Sequence, residues 1–204
     1  ITGEGNEVLI KAIDGGSINI TKEINISTNT TGLYVGNNGL IKLTESATIS
    51  NNIKAIEIAG GNIISEGTIN LVNNDTGVFL SGENSLIKYS ELNIGGKEGS
   101  KYGIYVSSNS ENVVIGKEDE NSVLTINNII GTDETEGIGV YIDTNSVVTI
   151  NSEVKINTNT VGIYAAGNSS VTINGEITGA NNKVFLEAAG GTIDMAKALN
   201  ISAN

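Results

Sequence analysis

The sequence predicts an all-β parallel β-helix, a β-solenoid built from three short strands per coil of about 22 residues, repeated about eight times. Three observations predict it. One phrase recurs along the chain, hydrophobic alternation has period two in every short segment, and there is no Pro. TGLYVGNNGLIKL at 31–43 returns as TGVFLSGENSLIKY from Thr76 and as VGIYAAGNSSVTIN from Val161.

The small residue ahead of LYV serves as an anchor for aligning the coils. It recurs at Gly32, Ala55, Gly77, Gly103, Gly139 and Gly162, with Glu7 and Lys183 as degenerate ends. The first strand of each coil follows as GLYV, AIEI, GVFL, GIYV, GVYI, GIYA or KVFL. A corner rich in Gly, Asn and Ser comes next, with Asn38, Asn109, Asn145 and Asn168 in equivalent places. Asn and Gly tolerate the left-handed backbone that a change of direction requires.

The second strand carries an aliphatic pair two residues apart, from Ile18/Ile20 and Ile41/Leu43 through Val148/Ile150 to Ile193/Met195. The third does the same, from Ile24/Ile26 through Leu124/Ile126 to Leu199/Ile201. One coil cannot bury these side chains alone, whereas stacked coils give a continuous aliphatic interior. Absence of Pro fits, because every internal strand must donate along both edges. A β-sandwich would not hold a three-segment phase through so many repeats. Residues 1–204 read as one β-helix segment, a fragment of a longer solenoid with no helical cap in view.

Composition narrows the chemistry. The chain lacks Cys, His, Trp, Pro and Arg, so all 11 basic residues are Lys. No thiolate metal site, disulfide framework or histidine acid–base pair can form. The net charge of −12 repels nucleic-acid phosphates and anionic membranes. No apolar run is long enough to cross a bilayer as a helix. No nucleic-acid partner, membrane insertion of this segment or cofactor is expected.

Two surfaces are candidates for function. Alternation places the residue two after each anchor outside, giving an outer row of Tyr34, Phe79, Tyr105, Tyr141, Tyr164 and Phe185 interrupted by Glu57. With coils spaced ~4.8 Å apart the row would run ~30 Å. Exposed aromatic rows mark interaction surfaces, and rings stack on sugar faces; the plain alternative is that they stack on one another and stabilise the sheet. The second candidate is a set of insertions at 95–101, 116–122 and 129–137, carrying Lys97, Glu98, Glu118, Asp119, Glu120, Asp133, Glu134 and Glu136. Their acids match neither an EF-hand nor the calcium-binding nonapeptide repeat, so no metal is expected.

Catalysis is not expected. The Asp residues (14, 75, 119, 133, 143 and 194) are scattered, and glycoside cleavage needs a carboxyl pair about 5–9.5 Å apart. Scattered glycines do not sit at a strand-to-helix turn, so no nucleotide site follows.

VGIYAAGNSSVTINGEI and TGLYVGNNGLIKLTESATI resemble repeats of type V autotransporter passenger domains. The Lys- and Asn-rich, Arg-free style resembles in particular the very large fusobacterial surface adhesins of that type. The resemblance covers nearly the whole chain. It implies a right-handed β-helix, secreted across the outer membrane and displayed extracellularly on the bacterial cell surface. It also implies a role in cell adhesion and virulence, and continuation into neighbouring coils and a C-terminal translocator barrel. The partners it implies are a host glycan or protein receptor, or other bacteria. No binding residue carries over, because these repeats hold no position-specific motif for one. A pure stalk or spacer is the first alternative, and a carbohydrate-active β-helix enzyme the second.

Overall fold

In the computed structural model, which describes residues 1–118, 121–133 and 136–202, the chain winds as a right-handed β-solenoid of about nine turns. Among the described residues, 25 strands form three parallel sheets. Sheet B contains Val8–Ala12, Thr31–Gly36, Lys54–Ala59, Thr76–Ser81, Tyr102–Val106, Ile138–Ile142, Val161–Ala165 and Val184–Ala188. Sheet C runs from Ser17–Ile20 to Thr192–Met195, and sheet A from Thr2–Gly3 to Leu199–Ile201. The coils are numbered 1 to 8 here by their sheet B strand.

Every strand pairs in parallel with the equivalent strand one coil away, so identical positions stack in columns. The column Ile26, Ile49, Leu71, Ile94, Ile126 and Ile156 is almost wholly buried and is typical of the interior. Aliphatic side chains meeting their own kind at each step bury about 1.5–3 kcal/mol apiece. Corners use the left-handed region as expected, with φ of 61°, 58°, 59° and 57° at Asn38, Asn109, Asn145 and Asn168.

Why the anchor is small is now clear. It faces the interior together with the next residue, at the bend where sheet A hands over to sheet B. A Cβ on Gly32 would press on the γ2 methyls of Ile26 and Ile49, and one on Gly103 on that of Ile126. The two degenerate ends are therefore placed differently from the sequence reading. Phe185, not Lys183, pairs at the anchor level of Gly162, and Leu9, not Glu7, at that of Gly32. Both bulky side chains fit because glycine replaces isoleucine in the sheet A column beside them. Gly3 lies against Leu9, and Gly179 against the Phe185 ring. Large anchor with small column residue substitutes for small anchor with large column residue.

Sheet C also departs from simple alignment. Ile115 pairs with Ile87 rather than with Tyr89, so the inner position after it changes character. Tyr89 is fully buried there, and its hydroxyl lies 2.8 Å from Ser152 Oγ, which lies 2.9 Å from Ser122 Oγ. Gly116, at φ 92°, leaves the room that this hydroxyl chain occupies. Burial pushes the Tyr89 hydroxyl well above its ordinary pKa.

The corner from sheet A to sheet B holds a buried amide ladder. Asn52 Oδ1 accepts from the Asn29 backbone N–H at 2.8 Å, and Asn74 Oδ1 does the same for Asn52. Asn182 repeats this toward Asn159 at 3.0 Å. Each ladder Asn follows a left-handed residue: Thr28, Asn51, Asn73, Thr158 or Asn181. In the two coils between, insertions take over this corner, and Ser100 fills the ladder position, donating to Asn74 O at 2.9 Å.

Candidate functional site

The outer face of sheet B carries the aromatic row, and the structure divides it. Phe79, Tyr105, Tyr141 and Tyr164 form an unbroken stack over coils 4 to 7. Their centroids are 5.3, 5.2 and 5.1 Å apart, with interplanar angles of 12°, 1° and 4°. Each stacked pair contributes about 0.5–1.5 kcal/mol beyond the area it buries. Tyr34 stands apart, separated from Phe79 by Glu57. Phe185 is not in the row at all. It is inward and only 5% exposed, and Glu187 occupies the row position beside Tyr164.

Tyr102 joins the stack from an adjacent column that alternation alone did not single out. Its ring lies 4.9 Å from Tyr105 and 5.4 Å from Tyr141, tilted 50° to both. The signal was available: Tyr102 directly precedes the anchor Gly103. Since the anchor and its successor both turn inward, the residue before the anchor turns outward. That column continues through Ile138 and Val161, which are 3% and 6% exposed yet lie outside the main core cluster. The plate of rings and aliphatics is thus a small second core on the outside of the solenoid.

Stacking determines what the rings can offer. Ring faces inside the stack are covered by neighbouring rings, leaving edges and hydroxyls toward solvent. Lysines cover two of the faces that no ring covers. Lys54 Nζ lies 4.2 Å from the Phe79 centroid, and Lys11 Nζ 5.2 Å from that of Tyr34. Glu57 Oε1 holds Lys54 Nζ at 3.0 Å.

The Tyr102, Tyr105 and Tyr141 hydroxyls stay protonated at neutral pH. Burial and then the Asp143 carboxylate push Tyr141 up to about 12. Tyr105 is raised further by burial and by donating a 2.8 Å hydrogen bond to Asp143 Oδ2. Tyr102 is raised by burial and by Glu136.

Two of the insertions flank this plate. Those at 95–101 and 129–137 share the corner from sheet A to sheet B and pair through Glu98 and Ile130. Lys101 Nζ lies 2.8 Å from Glu136 Oε1, holding the Glu136 carboxyl below the usual range. Lys97 Nζ lies 3.7 Å from Asp75 Oδ1, and Asp133 adds its charge near Tyr102. Glu118 lies elsewhere, at the corner from sheet C to sheet A. There it lines a polar trough of about 580 Å³ with Asn151, Glu153, Asn174, Glu176 and Lys197. Asn174 Nδ2 donates to Asn151 Oδ1 at 2.8 Å, while Asn151 Nδ2 has no partner among the described residues. Asp119, Glu120 and Glu134 lie outside the described residues. Among the described residues, no three acidic side chains converge as a metal ion would require.

Fold and surface together define a β-solenoid whose outer face carries an aromatic plate flanked by charged loops. Comparison with known protein families, curated proteins and solved structures returns no match.

Proposed function

We propose that this chain is a β-helical segment of a surface-displayed, autotransporter-type bacterial adhesin, without catalytic activity, and that it supports attachment through the outer face of sheet B. The observation that carries this reading is the aromatic plate itself. Tyr102, Tyr105, Tyr141 and Tyr164 crowd onto one outward surface, beside loops bearing Lys97, Lys101, Asp133 and Glu136. Tyrosine edges, hydroxyls and adjacent charges are the usual ingredients of a protein-recognition surface. The resemblance of the repeats to autotransporter passengers supports surface display. A chain without Cys also crosses the periplasm free of disulfide traps.

Coverage of ring faces by other rings bears on the ligand. It disfavours a flat sugar-stacking platform and favours a partner that meets edges and hydroxyls. The same stacking supports a second reading, a stiff spacer whose plate serves stability alone. Binding of the purified chain to epithelial cells and to partner bacteria, with and without competing sugars, separates the two. Saturable binding lost in Tyr102→Phe/Tyr141→Phe/Tyr164→Phe, which keeps the rings and removes hydroxyls, supports recognition. No binding by the wild-type chain to either target supports the spacer.

A further inference from the structure

The chain has no Cys or Trp and a single Met, so its six tyrosines are the main side chains open to oxidation. Four of them meet in the aromatic plate, on coils 5 to 7. Two features set Tyr105 and Tyr102 apart within it. The first is a fixed base. The Tyr105 hydroxyl donates to Asp143 Oδ2 at 2.8 Å, and the other carboxylate oxygen is held by Thr144, whose N–H and hydroxyl donate to Oδ1 at 2.7 and 3.2 Å. The Tyr141 and Tyr164 hydroxyls have no hydrogen-bond partner among the described residues. The second feature is ring angle. Tyr105, Tyr141 and Tyr164 lie face to face within 4°, whereas Tyr102 is tilted 50° to Tyr105 with centroids 4.9 Å apart. A bond between two phenol rings lies in the plane of each and leaves the rings twisted. Face-stacked rings cannot form it, and a tilted neighbour can.

The geometry points to the Tyr102–Tyr105 pair as a modification site, at which two equivalents of a one-electron oxidant couple the two rings into a dityrosine. The first equivalent takes an electron from Tyr105 while the phenolic proton passes along the 2.8 Å hydrogen bond to Asp143 Oδ2. That leaves a neutral tyrosyl radical and a carboxylic acid, which returns the proton to solvent. The second equivalent oxidises Tyr102, whose proton leaves to water. The two radicals join through one Cε carbon of each ring. Each of those carbons then gives up its hydrogen as a proton, and each oxygen regains one, so both rings end as phenols. The sum is two electrons to the oxidant, two protons to solvent and one new carbon–carbon bond. Stacking feeds the site, because a radical formed on Tyr141 passes to Tyr105 by electron transfer across 5.2 Å and is trapped where the carboxylate takes the proton. Tyr102 is tilted 50° to Tyr141 as well, but 5.4 Å away, which makes Tyr105 the nearer partner. Both coupled rings are half-buried on the outer face, within reach of a small oxidant.

The test exposes the dilute full chain to photogenerated tris(bipyridine)ruthenium(III), with persulfate as the final electron acceptor. Dityrosine fluorescence gives the rate, and tryptic mass mapping gives the place. Cleavage after Lys101, Lys117 and Lys155 puts Tyr102 and Tyr105 together on 102–117 and Tyr141 on 118–155. The expected product is peptide 102–117 lighter by two hydrogens, from a chain that remains monomeric. Tyr102→Phe, which keeps both rings, should abolish that product. Asp143→Asn, checked for folding by circular dichroism, should slow it at least about tenfold, since a positioned base contributes ~100-fold or more to proton transfer. A bond joining 102–117 to 118–155, or cross-linked dimers in its place, would overturn the pair. An unslowed Asp143→Asn variant would overturn the role of the carboxylate, and an unchanged 102–117 peptide the whole inference. Attachment is read separately, from cell binding of the unoxidised chain, so either proposal can fail without the other.

Discussion

Tyr141 is the residue through which the structural and recognition roles of the plate can be separated. Its ring stacks on Tyr105 and Tyr164 and touches Tyr102 at 5.4 Å. Tyr141→Ala removes two stacked contacts worth about 0.5–1.5 kcal/mol each, together with the apolar area they cover. The expected loss is about 2–4 kcal/mol. For a chain of this length each kcal/mol moves the melting point by about 2–4 °C, so the melt should fall by about 4–16 °C. The Tyr141 hydroxyl makes no hydrogen bond with the described residues, so Tyr141→Phe should stay within about 0.5 kcal/mol. Thermal melts by circular dichroism, with hydrogen exchange on 138–142 and 161–165 to localise the effect, provide the assay. An alanine variant less than about 1 kcal/mol below wild type would refute the idea that stacking stabilises this face. A phenylalanine variant as unstable as the alanine variant would show that the hydroxyl, not the ring, matters.

Other expectations follow from the columns. Gly179→Val should destabilise by about 1–3 kcal/mol because the new side chain meets the Phe185 ring, and Phe185→Gly in the same chain should recover part of that loss; additive costs in a double-mutant cycle would contradict the size exchange. Asn52→Ala should cost about 1–3 kcal/mol by leaving the Asn29 backbone N–H without its acceptor, read as faster exchange at that amide. Alkali should weaken the fold in a defined window. The Tyr141 pKa is raised in the folded state to about 12, against about 10 when unfolded, so its contribution is intact below pH 10 and lost as pH climbs toward 12. Tyr89 and Tyr105 shift in the same direction. Absorbance of tyrosinate followed alongside circular dichroism should show these groups ionising only as structure is lost, and free ionisation near pH 10 with the fold intact would contradict it.

The three-sheet architecture was legible in the sequence because alternation, corner residues and anchor spacing all repeat with the same phase. Side-chain period along a strand is two, so inward and outward assignments for Tyr34, Phe79, Tyr105, Tyr141 and Tyr164 needed only a correct anchor. Phe185 failed where the anchor failed. In KVFLEA either alternation register places an apolar residue inside, and the small-anchor rule pointed to the wrong one. Asn182 held the better clue, since it precedes Phe185 by the same three residues that separate Asn29, Asn52, Asn74 and Asn159 from their anchors. Tyr102 was missed for a related reason, because the anchor and its successor both turn inward and interrupt simple alternation.

By itself the sequence determined that the chain coils, since short segments with one apolar face can bury it only by stacking. It also determined the chemistry absent from the surface, because no Arg, His or Cys is available. What the tertiary structure alone decided is which faces of those side chains stay open. Columns formed by parallel pairing bring residues 22 to 36 positions apart to neighbouring rungs, as Asn52 and Asn74 or Asn109 and Asn145 illustrate. Ring coverage and the pairing of Lys54 with Glu57 and Phe79 arise only in that register. Stacking direction and spacing are properties of neighbouring coils, and no single stretch of chain contains them.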